Sequence, residues 1–170
     1  MLQRENKKFD DAALNLLMSM GIDLIPIELP DMPSQAISFI LTTESAAAFD
    51  DLTLGVRDNM MSPEASSWPD TFRRQRFVPA VEYIQANRLR TKIIEEFNEV
   101  FENLDLFIGS SLGLTNLTGH PEISIPHGFN SEGNPTNLRF TGKLFGEGEI
   151  LQLAYSFQAA TEHHLRHPKL

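Results

Sequence analysis

The stretch "NLTGHPEISIPHGFNSEGNP", residues 116–135, carries the clearest strand and turn signals in the chain. Its central run, "EISIPHGF", alternates isoleucine with polar residues, and "TNLRFTG" then alternates Leu138 and Phe140 in the same way. A glycine-rich connection separates the two runs. Alternation with a period of two predicts half-buried strands, and the short connection predicts a β-hairpin. Gly119 and Pro121 are suited to fix a sharp entry into the first strand.

Helical patterns flank this hairpin on both sides. Residues 9–20, the sequence from Val81 to about Leu104 and the final stretch from Gly146 all place apolar side chains at helical spacing. Gly21 is predicted to end the first helix, and Pro79 to begin the long one. The long helix is predicted to be the largest element, with about 25 residues.

The remaining segments complete the fold prediction. "IDLIPIEL", residues 22–29, predicts a strand in which Pro26 indicates an edge or a bend. Residues 34–52 predict a second helix, residues 53–76 an irregular excursion, and "LDLFIG" a short buried strand. The order helix, strand, helix predicts an α/β fold. At 170 residues the chain is expected to form a single domain over residues 1–170.

Composition and charge restrict the function classes. The net charge of −9 and the pI near 4.9 argue against nucleic acid and against an anionic membrane surface, which both select basic proteins. No apolar run approaches the roughly 20 residues of a membrane span. The chain has no cysteine, which excludes disulfides and thiol nucleophiles and fits a cytoplasmic protein. No nucleotide-binding loop pattern is present, so no cofactor is expected.

Serine and histidine positions offer a weak hydrolase signal. "IGSSLG", residues 108–113, follows a predicted strand but does not match the pattern G-x-S-x-G, so a polar turn is the favoured interpretation. A cryptic serine hydrolase would use Ser110 or Ser111 with His120 or His127 as the base.

Two other groups of polar residues stand out. His163 and His167 are four residues apart, but without an HExxH motif they more simply indicate interactions with a helix C-terminus, and no metal site is expected. The cluster "FRRQRF" places Arg73, Arg74 and Arg76 together in an acidic chain. Arginine forks bind carboxylates, so these side chains are candidates for holding an anionic substrate group or for pairing with nearby acids.

The opening stretch resembles the C-terminal part of amidase signature family enzymes. The family pattern has an N-x-x-G-x-P segment, an alternating strand with P-x-G, a G-x-P turn and a last helix that begins near a glutamate. The long helix before this stretch and the segments "ALNLLMSMGIDLIPIELP" and "TTESAAAFDDL" are also similar to the family, so the resemblance covers nearly the whole chain. The matching positions are Asn116, Gly119, Pro121, Pro126, Gly128, Gly133, Pro135, Gly142 and Glu147.

The resemblance implies a chain that lacks its own catalytic residues. The family cleaves carboxylic amide C–N bonds with a Ser–cis-Ser–Lys triad, whose residues lie N-terminal to everything that matches here. The resemblance therefore implies the last third of an amidase, with a mixed β-sheet flanked by helices. This part of the enzyme is expected to be inactive alone. Its expected partners are the remainder of the amidase chain or further copies of itself, with a small amide as substrate of the complete enzyme. The alternative is a non-catalytic binding or scaffold module with an amidase-like fold.

No catalytic residue is therefore assigned to this chain. The residues predicted to contact substrate are Arg73, Arg74, Arg76, Asn116 and His127.

Overall fold

The computed structural model describes residues 3–55, 57, 67–109 and 112–168. Within them the chain forms helices and a three-stranded sheet, which confirms the predicted α/β class. The described strands all pair antiparallel. The chain divides into two compact units, each packed mainly within itself. One comprises the chain up to Pro30, Asn98–Thr115 and everything from Gly119 onward, and the other comprises Asp31–Phe97 and Asn116–Thr118.

The predicted hairpin is present in the first unit. Strand β2, Glu122–Phe129, pairs antiparallel with β3, Pro135–Gly142, so that Ile123 faces Phe140 in the register. A third strand, β1, Leu106–Ile108, pairs with the other edge of β3 and gives the order β1-β3-β2. The turn is closed by Asn130, whose side-chain oxygen accepts hydrogen bonds from the backbone N–H groups of Glu132 and Asn134. Such local side-chain bonds are the reason asparagine favours turns.

Two helices cover the sheet and build the core of this unit. Helix α1, Gln3–Ser19, ends as predicted before Gly21, which has a φ of +84°. The last helix, which we call α7, spans Glu147–Thr161, so it begins where predicted but ends before the expected Leu165. The ring of Phe140 meets that of Phe157 edge-on at 6.4 Å. The buried core residues are Ala13, Leu17, Ile125, Leu138, Phe140, Ile150, Leu153, Ala154 and Phe157.

The strand predicted over residues 22–29 is wrong. This segment has no regular secondary structure, and within the described residues its backbone pairs with no strand. Ile22 and Leu24 pack against the core, whereas Ile25, Ile27 and Leu29 are exposed. An apolar sequence forms a strand only beside a partner that completes its hydrogen-bond ladder, and such a partner is not found among the described residues.

The second unit is helical, and its first predicted helix is broken into three pieces. A 3-10 turn spans Ser34–Ile37, helix α2 spans Phe39–Ala48 and helix α3 spans Asp50–Leu54. Phe49 lies at the break with a φ of −104° and a ψ of 24°, outside the α-helical region. Its ring stacks on Phe72 at 5.1 Å, so a tertiary contact accompanies the break.

Helix α4, Ser67–Gln75, corrects part of the predicted irregular excursion over residues 53–76. It buries Phe72 and packs against α2. Residues 56 and 58–66 of that excursion lie outside the described part. The long helix α5, Ala80–Glu99, begins directly after Pro79 as predicted but has 20 residues, fewer than expected.

A short helix α6, Leu112–Thr118, was not predicted. Its sequence contains threonine, asparagine and glycine, which are poor helix formers. Four of its side chains are buried, namely Leu114, Thr115, Leu117 and Thr118. Burial therefore overrides the weak local preference. Ser110 and Ser111, the nucleophiles of the cryptic hydrolase hypothesis, lie outside the described residues.

Candidate functional site

His127 occupies a β-bulge of the hairpin. The register passes from Pro126 opposite Asn137 to Gly128 opposite Thr136, so His127 is the extra residue. Gly128 has a φ of +142°, a conformation that residues with side chains rarely adopt. Bulges redirect side chains and recur beside functional sites. Although it lies on an edge strand of the sheet, His127 is only 7% exposed.

A cavity of about 340 Å³ lies beside His127. Small-molecule sites usually have volumes of about 300–1,000 Å³ and mostly apolar walls, with a few polar groups that fix the orientation of the ligand. Here the polar side chains are those of His127, Thr161, His163 and Arg166. The cavity therefore has the size and the composition of a site for a small polar ligand. The rest of its wall comes from α1, β2 and α7, through Ala12, Ala13, Leu16, Gly128, Phe129, Phe157 and Thr161.

The end of α7 positions His163 at this cavity. The helix stops after Thr161, and Glu162 adopts a left-handed conformation with a φ of +54°. His163 then begins a 3-10 turn, His163–Leu165. His163 and His167 consequently do not share a helix, which removes the metal-like spacing considered from the sequence.

The environment of His163 favours its neutral form. Burial lowers the pKa of His163 below its ordinary value, and the charges of Arg166 and His127 lower it further. Its Nδ1 atom is buried and has no hydrogen-bonding partner among the described residues. A neutral imidazole carries one donor and one acceptor nitrogen. Together with the guanidinium of Arg166, the site can offer hydrogen bonds to a carbonyl or carboxylate oxygen.

The cavity is lined by groups that can bind a ligand. The described residues that line it include no serine, lysine, aspartate or glutamate. Among them Thr161 carries the one hydroxyl group, which donates to the backbone oxygen of Phe157 at 2.8 Å. His127 lines the cavity, and whether it binds substrate stays a prediction.

The three predicted arginines lie on and just after α4, in the other unit. Each is exposed and interacts with an acidic residue nearby. Arg73 forms an ion pair with the Asp70 carboxylate at 3.2 Å, and Arg74 donates to the backbone oxygen of Asp70 at 3.3 Å. Arg76 forms an ion pair with Asp50. The sequence left two interpretations open, and these contacts agree with pairing to nearby acids. Substrate binding by the arginines stays a prediction.

Asn116 lies on α6 and is exposed. The neighbouring Leu117 is buried, and its backbone oxygen accepts a hydrogen bond from the guanidinium of Arg90 on α5. That bond ties the end of α6 to the long helix within the second unit. The placement of Asn116 on a surface leaves it accessible, and its predicted contact with substrate is likewise untested.

His120 is a core histidine. Its Nε2 atom lies 3.1 Å from the side-chain oxygen of Asn98, and its ring stacks on Phe101 at 5.2 Å. Burial lowers the pKa of His120. A buried imidazole held by an amide and a phenyl ring is a packing element, and these contacts give no support to its use as a catalytic base.

A polar cluster that the sequence analysis missed lies at the start of the hairpin. Thr141 is fully buried, and its hydroxyl donates to the backbone oxygen of Gly109 at 3.0 Å. The same hydroxyl lies 3.3 Å from the carboxylate of Glu122, which in turn lies 3.7 Å from the guanidinium of Arg139. The contacting pairs lie 17 to 32 positions apart, so no local sequence pattern could reveal the cluster. Its effect is to hold Gly109, directly before Ser110, against β3.

The described residues contain no group of three or more histidine, aspartate or glutamate side chains able to hold a metal ion. No helix of the described part is long and apolar enough to cross a bilayer.

Comparison with curated proteins gives clear sequence relatives. No family model matches the chain. In Oceanobacillus iheyensis, the glutamyl-tRNA(Gln) amidotransferase subunit designated "A" is 29% identical over 218 aligned positions, which include 97% of this chain and 44% of the relative. The corresponding protein of Bacillus velezensis is 28% identical over 98% of this chain and 44% of the relative. The chain thus spans less than half the length of these relatives. Because 218 positions exceed the 170 residues present, the relative also carries segments that this chain lacks.

Solved structures match the fold. An amidase family protein from Bacillus anthracis superimposes with a TM-score of 0.69 at 18% identity, over 98% of this chain and 37% of that one. A bacterial aryl acylamidase of the amidase signature enzymes family also gives 0.69, at 16% identity, over 94% of this chain and 41% of that one. At these identities the likeness shows a shared fold alone.

Proposed function

Because the chain is a relative of the amidase signature family, matching its C-terminal part, we propose that it supplies framework and pocket lining to an amide hydrolase. In this proposal the chain does not cleave amides by itself. The observation that carries it is the coverage, since nearly all of this chain aligns with less than half of each relative. The nucleophile and its base would come from polypeptide outside these 170 residues.

The described residues support this division of labour. Amide cleavage by a serine requires an adjacent base, and in the family that the chain resembles a lysine has this role. Lys143 has two ion pairs instead, at 4.0 Å to Asp105 and 3.5 Å to Glu149. His120 is held between Asn98 and Phe101.

The role proposed for this chain in substrate binding centres on His127. Its bulge, the adjoining cavity and the donors of His163 and Arg166 suit an amide or carboxylate oxygen of a small substrate. Arg73, Arg74, Arg76 and Asn116 remain secondary candidates, since the arginines interact with nearby acidic residues and Asn116 is a single exposed side chain.

The names of the relatives indicate the reaction class and leave the substrate open. The curated relatives are named as amidotransferase subunits and one solved neighbour as an aryl acylamidase, and amide C–N cleavage is the chemistry proposed here. The net charge of −9 makes direct contact between this chain and RNA unfavourable, because phosphates attract basic surfaces. We further propose that the substrate is a small amide and that the partner is the remainder of an amidase. The proposed location is the cytoplasm.

The first test is an assay of the purified chain alone. We expect no hydrolysis of acetamide, glutamine or an acyl anilide above the buffer rate. Hydrolysis that is lost in Ser111→Ala would contradict the proposal and would support the cryptic serine hydrolase instead.

The second test is complementation. The part of the Oceanobacillus relative that precedes the aligned region would be expressed together with this chain, and hydrolysis of the same amides measured. We expect activity that neither polypeptide has alone. If the two polypeptides form a complex but remain inactive, the result would favour a non-catalytic scaffold.

A further inference from the structure

An open groove of about 930 Å³ lies in the first unit and shares no lining residue with the His127 cavity. One wall is the segment 22–27, and the other is residues 103–108, which comprise β1 and the three residues before it. Helix α7 contributes its Glu149, Gln152 and Ser156. The groove is thus bounded by one edge strand and by one segment with the sequence of a strand.

The structure of the segment 22–29 differs from the one that its sequence predicts. Its isoleucine and leucine residues predict a strand, yet residues 23–29 make no backbone-to-backbone hydrogen bond within the described part of the chain. Ile25 is 63% exposed, and Ile27 and Leu29 are each more than a third exposed. Disagreement between local preference and observed structure is typical of functional sites, because a partner can restore the agreement.

The opposite wall of the groove contains an edge strand, which can form a hydrogen-bond ladder with a further strand. Strand β1 lies at the edge of the sheet order β1-β3-β2 and uses one of its two edges to pair with β3. Edge strands are templates for pairing with another segment, and natural proteins usually protect them. Here the groove beside β1 is lined by Leu24, Ile25 and Ile27, which favour an apolar occupant.

The rim of the groove indicates the charge of that occupant. Asp23, Asp105 and Glu149 line it, and Lys143 forms ion pairs with the last two. Among the described residues, this one lysine does not balance the three carboxylates, so their net contribution to the rim is acidic. A second copy of this chain, with its net charge of −9, would therefore be repelled.

We propose that this groove docks an extended apolar strand with basic flanks that belongs to the catalytic part of the enzyme. The identity of the occupant rests on the proposed function, because the relatives carry more than half of their length outside the region that this chain covers. Strand addition obtains its affinity from main-chain hydrogen bonds and its specificity from the alternating side chains. The occupant would pair with β1 and bury Ile25 and Ile27.

The test uses the full chain and a labelled heptapeptide, Lys-Val-Thr-Val-Thr-Val-Lys, followed by fluorescence anisotropy. We expect saturable binding that weakens as salt is added, because the lysines meet the acidic rim. A peptide with proline in place of the central valine should bind at least about tenfold more weakly, since proline removes a ladder donor. A peptide with glutamate in place of both lysines should also bind more weakly.

Variants of the chain locate the site. The double variant Ile25→Ser with Ile27→Ser should weaken binding of the peptide by about tenfold or more. Leu165→Ser is the matched control, because Leu165 is 61% exposed but does not line the groove, and it should bind like the wild type. All three substituted residues are exposed, so the variants are expected to fold.

The outcomes separate this inference from the proposed function. Absence of saturable binding, or equal binding by the double variant, would overturn the docking site even if complementation restores hydrolysis. Binding at the groove without any complex in the complementation test would overturn the catalytic part as its occupant. A dimer in sedimentation equilibrium that the double variant dissociates would assign the groove to a second copy and overturn the proposal.

Discussion

Two regions of the first unit have similar sequences and different structures. Residues 122–129 and residues 22–29 are both rich in isoleucine, and both contain a proline at the fifth position. The first is a strand of the hairpin, with Ile125 almost fully buried, whereas the second is irregular, with Ile25 mostly exposed. An isoleucine-rich sequence is therefore not sufficient to specify a strand.

The difference lies in what the neighbouring chain provides. Strand β2 is followed by a turn that returns the chain as β3, so its partner is only a few residues away. The segment 22–29 is followed by Pro30 and Pro33, and the next element is a 3-10 helix. A local turn supplies a ladder at small entropic cost, whereas a distant partner must come from elsewhere in the molecule or from another chain.

The largest expected effect is on the free energy of unfolding, and it contrasts a buried side chain of the hairpin with an exposed one of the segment 22–29. Phe140→Ala should lower the free energy of unfolding by about 3–5 kcal/mol, because the ring is fully buried against Phe157. Ile25→Ala should change it by no more than about 0.5 kcal/mol. Urea unfolding monitored by circular dichroism measures both. A large loss in Ile25→Ala would show that the segment 22–29 is packed in solution and would remove the contrast.

A smaller effect tests the close packing at the end of the hairpin. A Cβ atom at Gly142 would lie 2.9 Å from Cγ2 of Ile150 and 3.1 Å from the backbone oxygen of Gly146. Gly142→Ala should therefore cost about 1–3 kcal/mol in the same assay. Gly148→Ala is the control. A Cβ atom at Gly148 would have no atom within 4 Å apart from its chain neighbours and the backbone of its own helix, and alanine favours the helix that contains it. If the two variants were equally stable, the approach of α7 to β3 would be looser than the structure indicates.

The pH dependence of stability tests the histidine that packs beside the hairpin. Burial lowers the folded-state pKa of His120 below that of the unfolded chain, so the unfolded state takes up the proton first. The contribution of His120 to stability is complete above the ordinary pKa of 6.5, and it is lost progressively as the pH falls from that value through the lowered folded-state pKa. Unfolding curves from about pH 8 to about pH 5 should show a shallower decline for His120→Gln than for the wild type.

The exposed His164 provides the control for that experiment. His164→Gln should leave the slope unchanged, and the lowered pKa of His163 should still give a residual decline in both variants. A slope in His120→Gln equal to that of the wild type would show that His120 does not require its neutral form for folding.

The smallest effect concerns a surface ion pair. Arg76 and Asp50 form an ion pair, but both side chains are more than a third exposed. Arg76→Ala should cost no more than about 1 kcal/mol, and a double-mutant cycle with Asp50→Ala should give a coupling below that value. A larger coupling would make the second unit depend on this pair. In a complemented enzyme, a raised KM in Arg76→Ala without a change in stability would support its predicted contact with substrate.

Some of the fold was predictable because its signals are local. Helix α1, the long helix after Pro79, the hairpin and the last helix each combine a clear period with a capping or turn residue. Helix α6 could not be predicted, because its weak formers are held by burial of Leu114 and Leu117. Helix α4 was hidden within a polar sequence, where Phe72 alone is buried. The break at Phe49 depends on its contact with Phe72, which lies 23 residues later.

The candidate site was predictable only in part. His127 was identified from its place between Pro126 and Gly128 at the end of a strand pattern. The contribution of His163 and Arg166 was not, because the 3-10 turn that follows α7 brings them to the cavity. The cluster of Glu122, Arg139 and Thr141 was also missed, since its members meet only when the hairpin closes.

The sequence by itself determined the periodic elements of this protein, its acidic charge and its likeness to the C-terminal part of amidases. Period, capping residues and turn chemistry act within a few residues of each other, and they can be recognised without coordinates. Only the tertiary structure decided which strand-like segment obtained a ladder and which histidine packs in the core rather than lining a cavity. Those outcomes depend on the partners that distant parts of the chain provide, because a backbone group or an imidazole leaves water only where another group can replace its hydrogen bonds.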